Sequence, residues 1–157
     1  MEYIQLDRGS VQRFGIRDAD GKETGEYIEI DPEDMYFQFR SKDCGIKHKN
    51  NVEELKIKVD EIQKTCKDEG EFPTEKDIAL KEAFDDFLKK EEQAIDEFIG
   101  EGTTRKLLNG RKPYLFMFND IFDMLSQIAP TLRDTSRNLI ENIRAKYKKQ
   151  KEKDDVL

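Results

Sequence analysis

The sequence predicts a mainly α-helical protein with an N-terminal β-hairpin, and three observations support this class. Beyond residue 32, apolar residues recur at the three- and four-residue steps of helices with one buried face. Residues 26–30 instead alternate polar and apolar side chains, as a half-buried strand does. The 40% of charged residues exceeds the 36% of hydrophobic ones, which indicates extended helices with wide solvated faces. We expect one domain over residues 1–157, built as a bundle of about four to five helices.

The hairpin region, residues 1–31, carries strand signals around residues 3–6, 11–16 and 26–30. Residues 18–25 are rich in turn formers, so strands on either side of them should pair. The Asp-Ala-Asp-Gly run at 18–21 also resembles part of a calcium loop. With Gly21 at loop position six, however, the acidic end positions fall on Ile16 and Tyr27, which cannot supply carboxylates. A hairpin turn is therefore the favoured interpretation.

The acidic helical block, residues 32–99, should contain three helices. Asp31 and Pro32 form a strong helix start, and the short aromatic helix that follows is expected to end near Gly45. A polar connector at residues 46–51 then leads to a coiled-coil-like seam from residue 52 to 66, ended by Gly70. The third helix is expected to begin at residues 74–77 and to run through Ile99 with one wide apolar face.

The C-terminal part begins with a glycine-marked hinge at residues 100–113. Pro113 suits the first turn of a new helix, whose apolar stripe includes Leu115, Phe118 and Phe122 and which Pro130 should end. A last helix from Thr131 completes a C-terminal helical pair over residues 114–147. Residues 148–157 offer nothing to bury and should fray.

Charge and composition limit the classes of function that the sequence allows. The net charge of −7 argues against a general nucleic-acid binder, because phosphate contacts need a basic surface. Residues 52–101 hold 17 acidic and 8 basic side chains, whereas residues 131–153 hold 8 basic and 3 acidic. The two blocks could attract each other or present opposite charges to partners. No apolar run approaches a membrane span, no signal peptide is evident, and the two cysteines lack metal-ligand spacing, so we expect a soluble intracellular protein.

No catalytic, metal or cofactor constellation emerges from the sequence. His48 falls in the polar connector and is expected to be a solvated loop histidine. The carboxylate pairs at 85–86, 91–92 and 96–97 could serve a metal-dependent hydrolase, but they alternate with the apolar face of their helix and should lie on its solvated side. The glycine turn at 100–102 lacks the Gly-Lys-Ser/Thr ending of a phosphate loop. We therefore predict a binding protein and no enzyme.

A family resemblance rests on four segments. Residues 95–111 read Ile-Asp-Glu-Phe-Ile-Gly-Glu-Gly-Thr-Thr-Arg-Lys-Leu-Leu-Asn-Gly-Arg, and the next helix carries Phe116, Phe118 and Phe122. The final helix closes on Asn-Ile-Arg-Ala-Lys-Tyr at 142–147, and residues 28–37 form a strand-then-helix opening. Together these pieces, over residues 26–147, resemble the tail assembly chaperones of long-tailed siphophages.

The resemblance implies a cytoplasmic protein of the infected host that binds the tape-measure protein, keeps it soluble and promotes tail tube assembly. It also implies contact with the tail tube protein and absence from the mature virion. It leaves open whether the protein forms a homo-oligomer. As a hypothesis, the client surface comprises Arg105, Lys106, Arg111, Leu115, Phe118 and Phe122. The main alternative is a phage or mobile-element regulatory protein that inhibits a target by stoichiometric binding, and a structural component of the tail is a third interpretation.

Overall fold

A computed structural model describes residues 1–7, 9 and 11–156 of the chain, excluding the side chains of residues 129–139, 142 and 154–156. Two strands come first, β1 (Gln12–Arg17) and β2 (Glu23–Ile30). The described residues then form four helices, α1 (Phe37–Thr65), α2 (Glu75–Ile99), α3 (Thr103–Leu108) and α4 (Met117–Val156). The predicted class, mainly α-helical with an N-terminal hairpin, is confirmed.

The hairpin pairs β1 and β2 in antiparallel fashion, with Phe14 opposite Ile28. Its turn is closed by the Asp18 carboxylate, which accepts hydrogen bonds from the backbone N–H groups of Asp20 and Lys22 at 2.9 Å each. The strand signals at residues 3–6 are misleading, because residues 1–7 form no strand in the described part of the chain. Those residues are exposed and have no paired strand, and an unpaired strand is not stable in water.

The start of α1 differs from the prediction. Asp31 does not cap a helix; its carboxylate accepts from the backbone N–H of Glu33, and Asp34 does the same for Tyr36, at 2.9 Å each. Two successive aspartate turns therefore delay the helix until Phe37.

The predicted break at Gly45 and the connector at residues 46–51 are also wrong, because α1 is one continuous helix of 29 residues. Glycine inside a helix costs only about 1 kcal/mol. Contacts with α2 outweigh that cost: the Cys44 thiol donates to the Ala94 carbonyl at 3.3 Å, and His48, one turn later, contacts Glu91. Tertiary packing thus overrides the local signal.

Helices α1 and α2 form an antiparallel pair, with ion pairs along it between Lys47 and Glu97 and between Lys58 and Asp86. Helix α1 ends at Thr65, five residues before the predicted stop at Gly70. The predicted start of α2 is confirmed in detail. Thr74 is the N-cap, and its side chain and that of Asp77 form a reciprocal capping box.

Helix α4 is continuous over 40 residues, so the predicted break at Pro130 and the separate last helix are wrong. A proline inside a helix removes one hydrogen bond and adds one clash, worth about 3 kcal/mol, and regular helix on both sides can offset that cost. The helix begins at Met117 instead of Pro113, and residues 148–156, predicted to fray, are helical as well.

Two connected apolar clusters make up the core. One joins Cys44 of α1 and Ile95 of α2 to the start of α4, where Phe118 and Ile121 are 4% exposed. The other places the inner face of the hairpin, with Ile28 and Ile30, against the next turns of α4. The first turns of α4 therefore hold the hairpin and the α1–α2 pair together.

Candidate functional site

The predicted hinge, residues 100–113, is held to α2 by several hydrogen bonds, and three of them go to one side chain, that of Asp96. The Asp96 carboxylate accepts hydrogen bonds from the backbone N–H of Thr104 at 2.9 Å, from the Thr104 hydroxyl at 2.8 Å and from the backbone N–H of Gly102 at 3.2 Å. Gly102 has φ +81°, a conformation that favours glycine. Asp96 was expected to be a solvated surface acid, so its anchoring role corrects that prediction.

A groove runs between α2 and this segment, next to Arg105 of the predicted client residues. Its volume is about 1020 Å³. Leu88 and Pro113 provide apolar surface, and charged side chains from both sides surround them. Arg105 spans part of the groove, donating to the two carboxylate oxygens of Glu92 at 2.7 and 3.0 Å. The charged lining residues are Asp85, Lys89, Glu92, Asp96, Glu97, Glu101, Arg105 and Lys112.

The six predicted client residues do not form one surface. Arg105 lines the groove, and Leu115 is 44% exposed shortly after the groove residue Pro113. Lys106 instead contacts the hairpin, with its Nζ 3.4 Å from the Tyr27 carbonyl oxygen, and the Arg111 guanidinium lies 3.7 Å from the centre of the Tyr114 ring.

Phe118 and Phe122 belong to the packed interior. Phe118 is 4% exposed, and its ring stacks on that of Phe122 with centroids 4.4 Å apart. The neighbouring Phe116, by contrast, is 63% exposed. Residues 115 and 116 therefore offer the accessible apolar surface just before α4, whereas Phe118 and Phe122 stabilise the body that presents it.

A polar pair beneath α4, of which one member is buried and the other partly exposed, was not predicted. Glu91 is fully buried, and its Oε2 lies 2.7 Å from Nδ1 of His48. The His48 ring stacks on Phe118, with centroids 3.8 Å apart and planes inclined by 4°. His48 is thus a helical residue shared by three elements, and its expected place in a solvated loop is wrong.

Burial dominates the electrostatics of this pair. It raises the pKa of Glu91 because water no longer stabilises the carboxylate, while His48 and, more weakly, Asn51 favour the charged form. The other carboxylate oxygen, Oε1, has no hydrogen-bond partner among the described residues. The sequence does contain a signal for this burial: Glu91 lies four residues from both Phe87 and Ile95, inside the apolar stripe of α2.

Other chemistry is limited within the described residues. They contain no group of three or more His, Cys, Asp or Glu side chains placed to hold a metal ion. Burial and the neighbouring Glu91 carboxylate raise the pKa of the Cys44 thiol to about 12. Among the described helices, none is both long enough and apolar enough to cross a bilayer.

Comparison with protein-family models, with curated proteins and with solved structures gives no match for this chain.

Proposed function

We propose that this chain is a tail assembly chaperone, which binds the tape-measure protein of a long-tailed phage and keeps it soluble while the tail tube is built. The resemblance of residues 26–147 to that family supplies the class of client. The groove of about 1020 Å³ between α2 and residues 101–113, with exposed Leu115 and Phe116 beyond it, is the observation that carries a binding role.

The chemistry of the groove suits an amphipathic helix. Apolar side chains of such a client would pack on Leu88 and Pro113 and extend to Leu115, and its polar flanks would face the charged rims. A long helical protein with exposed apolar stripes aggregates unless those stripes are covered. A chaperone of this kind needs no catalytic group, so the proposed function is non-enzymatic and requires no cofactor.

The proposal extends to location and partners. The protein would act in the cytoplasm of the infected host, contact the tail tube protein during polymerisation, and leave before the virion is complete. These expectations come from the family resemblance, and they fit a surface that combines exposed apolar side chains, Leu115 and Phe116 among them, with a high content of charged residues.

The test of function is co-expression with the tape-measure protein encoded beside this chain. We expect a soluble client that elutes with the chaperone and becomes insoluble when the chaperone is omitted. An insoluble client together with a free 157-residue protein would contradict the proposal and favour the stoichiometric regulator.

A pair of matched variants tests the groove itself. Lys112→Glu combined with Leu115→Ser changes one charge and one apolar side chain at the groove side, and client binding should weaken about tenfold, the effect of losing roughly 1.4 kcal/mol. Lys49→Glu combined with Ile46→Ser makes the same chemical changes on the exposed surface of α1. Equal binding by both double variants would remove the groove from the client site.

A further inference from the structure

Helix α4 leaves the body of the molecule in a defined direction. Its first turn lies at the level of His48, where Phe118 stacks on the imidazole ring. Two turns later, Leu125 and Ile128 pack with Ile30 of the hairpin, near the end of α2. The helix therefore runs away from the α1–α2 connection, toward the opposite end of the molecule.

The distal segment of α4, residues 140–153, is a basic amphipathic helix. Every described side chain in the segment is exposed. Ile140, Ile143 and Tyr147 follow helical steps of three and four and form one stripe, with exposed fractions of 51%, 44% and 74%. The segment holds six basic and two acidic residues, and helical spacing places Arg144 and Lys151 on the same face as the stripe.

The opposite end of the molecule has complementary chemistry. The acidic tip, residues 52–86, is the outer half of the α1–α2 pair and carries twelve acidic and six basic residues. Four large apolar side chains are exposed on it, Ile57 at 57%, Phe72 at 85%, Ile78 at 49% and Phe84 at 38%. Asp60 and Glu61, next to Ile57 on the outer side of α1, form no ion pair with any described cation.

We propose that the distal segment of one copy docks on the acidic tip of a second copy, so that the chain associates head to tail. The apolar stripe would cover exposed side chains such as Ile57, and Arg144 and Lys151 would face the unpaired acids of the tip. The distal segment cannot dock on the acidic tip of its own chain, because α4 points away from that tip. Contacts between two different surfaces give rings or open filaments.

This inference goes beyond the proposed function, because it requires no client. It predicts self-association of the isolated full-length protein that salt weakens. The docked surfaces carry opposite charge, and at about 1 M salt the screening length falls to about 3 Å. Sedimentation velocity over a concentration series, at low and at high salt, should show oligomers in the first condition and a shift toward monomer in the second. A monomer under both conditions would overturn the proposal.

Charge reversal locates the contact. Arg144→Glu with Lys151→Glu reverses two charges on the stripe face, whereas Lys149→Glu with Lys153→Glu makes the same change on the other side of the same helix. We expect the first variant to be monomeric and the second to associate with an affinity within about threefold of wild type. Equal loss in both variants would indicate a diffuse charge effect and would contradict a defined docking face.

Mixing two monomeric variants gives the decisive result. Asp60→Lys with Glu61→Lys makes the tip basic, and it should abolish self-association as the Arg144→Glu, Lys151→Glu variant does. In the mixture, one variant supplies a wild-type tip and the other a wild-type distal segment, so hetero-association should return. If the α4 substitutions abolish association but Asp60→Lys with Glu61→Lys does not, two α4 helices pair with each other. That result would overturn the head-to-tail arrangement.

Discussion

At the scale of single residues, the His48–Glu91 pair shows how a polar group is held inside the body. The Glu91 carboxylate is 0% exposed, its Oε2 lies 2.7 Å from the His48 imidazole, and its Oε1 has no hydrogen-bond partner among the described residues. The imidazole is held in place by its stack on Phe118. The contacts of His48 with Glu91 and Phe118 join α1, α2 and α4 at one point. A substitution at any of these three residues should therefore affect the packing of all three helices.

Glu91→Gln measures the cost of burying this carboxylate. Because the pKa of Glu91 is raised in the folded protein, the folded state holds the proton more tightly than the unfolded state does. Wild type should therefore gain stability relative to the variant as the pH falls through the raised pKa, and the gain should be complete below the unfolded value of 4.5. Denaturant unfolding of both proteins over this pH range measures the difference.

Glu97→Gln is the matched control. Hydrogen bonds from Lys47 and Gln93 lower the pKa of Glu97 in the folded protein, so wild type should lose stability relative to this variant as the pH falls. The two difference curves should slope in opposite directions. A flat curve for Glu91→Gln would contradict a carboxylate destabilised by burial.

Substitutions at Phe118 and Phe116 distinguish a side chain that packs in the core from one that is accessible for binding. Phe118→Ala removes a ring that is 4% exposed and should destabilise the protein by about 3–5 kcal/mol. Phe116→Ala removes a ring that is 63% exposed and should change stability by no more than about 0.5 kcal/mol. Equal thermal stability of the two variants would contradict the assignment of Phe118 to the core.

Residue environments are the level at which the sequence was least informative. His48 and Glu91 lie 43 positions apart, and only the antiparallel register of α1 and α2 brings them together. A lone histidine among lysines and an acid beside another acid both resemble surface residues when each is considered alone. The helical spacing of Glu91 from Phe87 and Ile95 was the one local sign of burial.

At the scale of elements, Asp96 determines how the groove is presented. Its carboxylate accepts three hydrogen bonds from Gly102 and Thr104, and it thereby fixes α3 against α2. Capping contacts of this kind satisfy backbone N–H groups that a short helix leaves unpaired. The groove depends on this contact, because its outer wall is formed by residues that follow Thr104, namely Arg105, Lys112 and Pro113.

Asp96→Ala should lower the free energy of unfolding by about 2–3 kcal/mol, because buried N–H groups lose a charged acceptor. Amide hydrogen exchange in residues 102–108 should accelerate more than in α2. Glu92→Ala is the control. It removes only the pair with Arg105, a side chain that is 62% exposed, and should cost less than about 1 kcal/mol. Unchanged exchange in Asp96→Ala would refute the anchoring role.

Element boundaries were predictable where one local motif dominates. The turn within residues 18–25 and the helix start at residues 74–77 were both predicted, since each is specified by side chains that bond to neighbouring backbone groups. Gly45 and Pro130 misled because a glycine or proline imposes a cost of only about 1–3 kcal/mol, which flanking structure can outweigh. In α1, the contacts that outweigh the cost of Gly45 are those of Cys44 and His48 with α2.

At the scale of the whole molecule, the notable property is elongation. A compact chain of 157 residues has a radius of gyration of about 15 Å. Helix α4 alone, with its 40 residues, is about 60 Å long at 1.5 Å per residue. The mainly helical class follows from composition and periodicity, but the projection of α4 does not, because local patterns do not reveal where a helix stops contacting its neighbours.

Small-angle scattering tests this shape. At high salt, where the protein should be monomeric, the radius of gyration should clearly exceed about 15 Å. A chain shortened after residue 139 should lose the long-distance tail of the scattering profile. It should also keep the wild-type unfolding transition within about 1 kcal/mol, because the described side chains that it lacks are all exposed. A compact profile for the full-length chain would contradict a projecting helix.

The two cysteines provide a practical handle on the acidic tip. Cys44 is 2% exposed and its thiol, with a pKa raised to about 12, remains protonated at neutral pH, whereas Cys66 is only half-buried, directly after α1. Thiol reagents attack the thiolate of an accessible cysteine. Native protein should therefore be labelled at Cys66 alone, so a fluorophore can be attached beside the proposed docking surface without replacing a single residue.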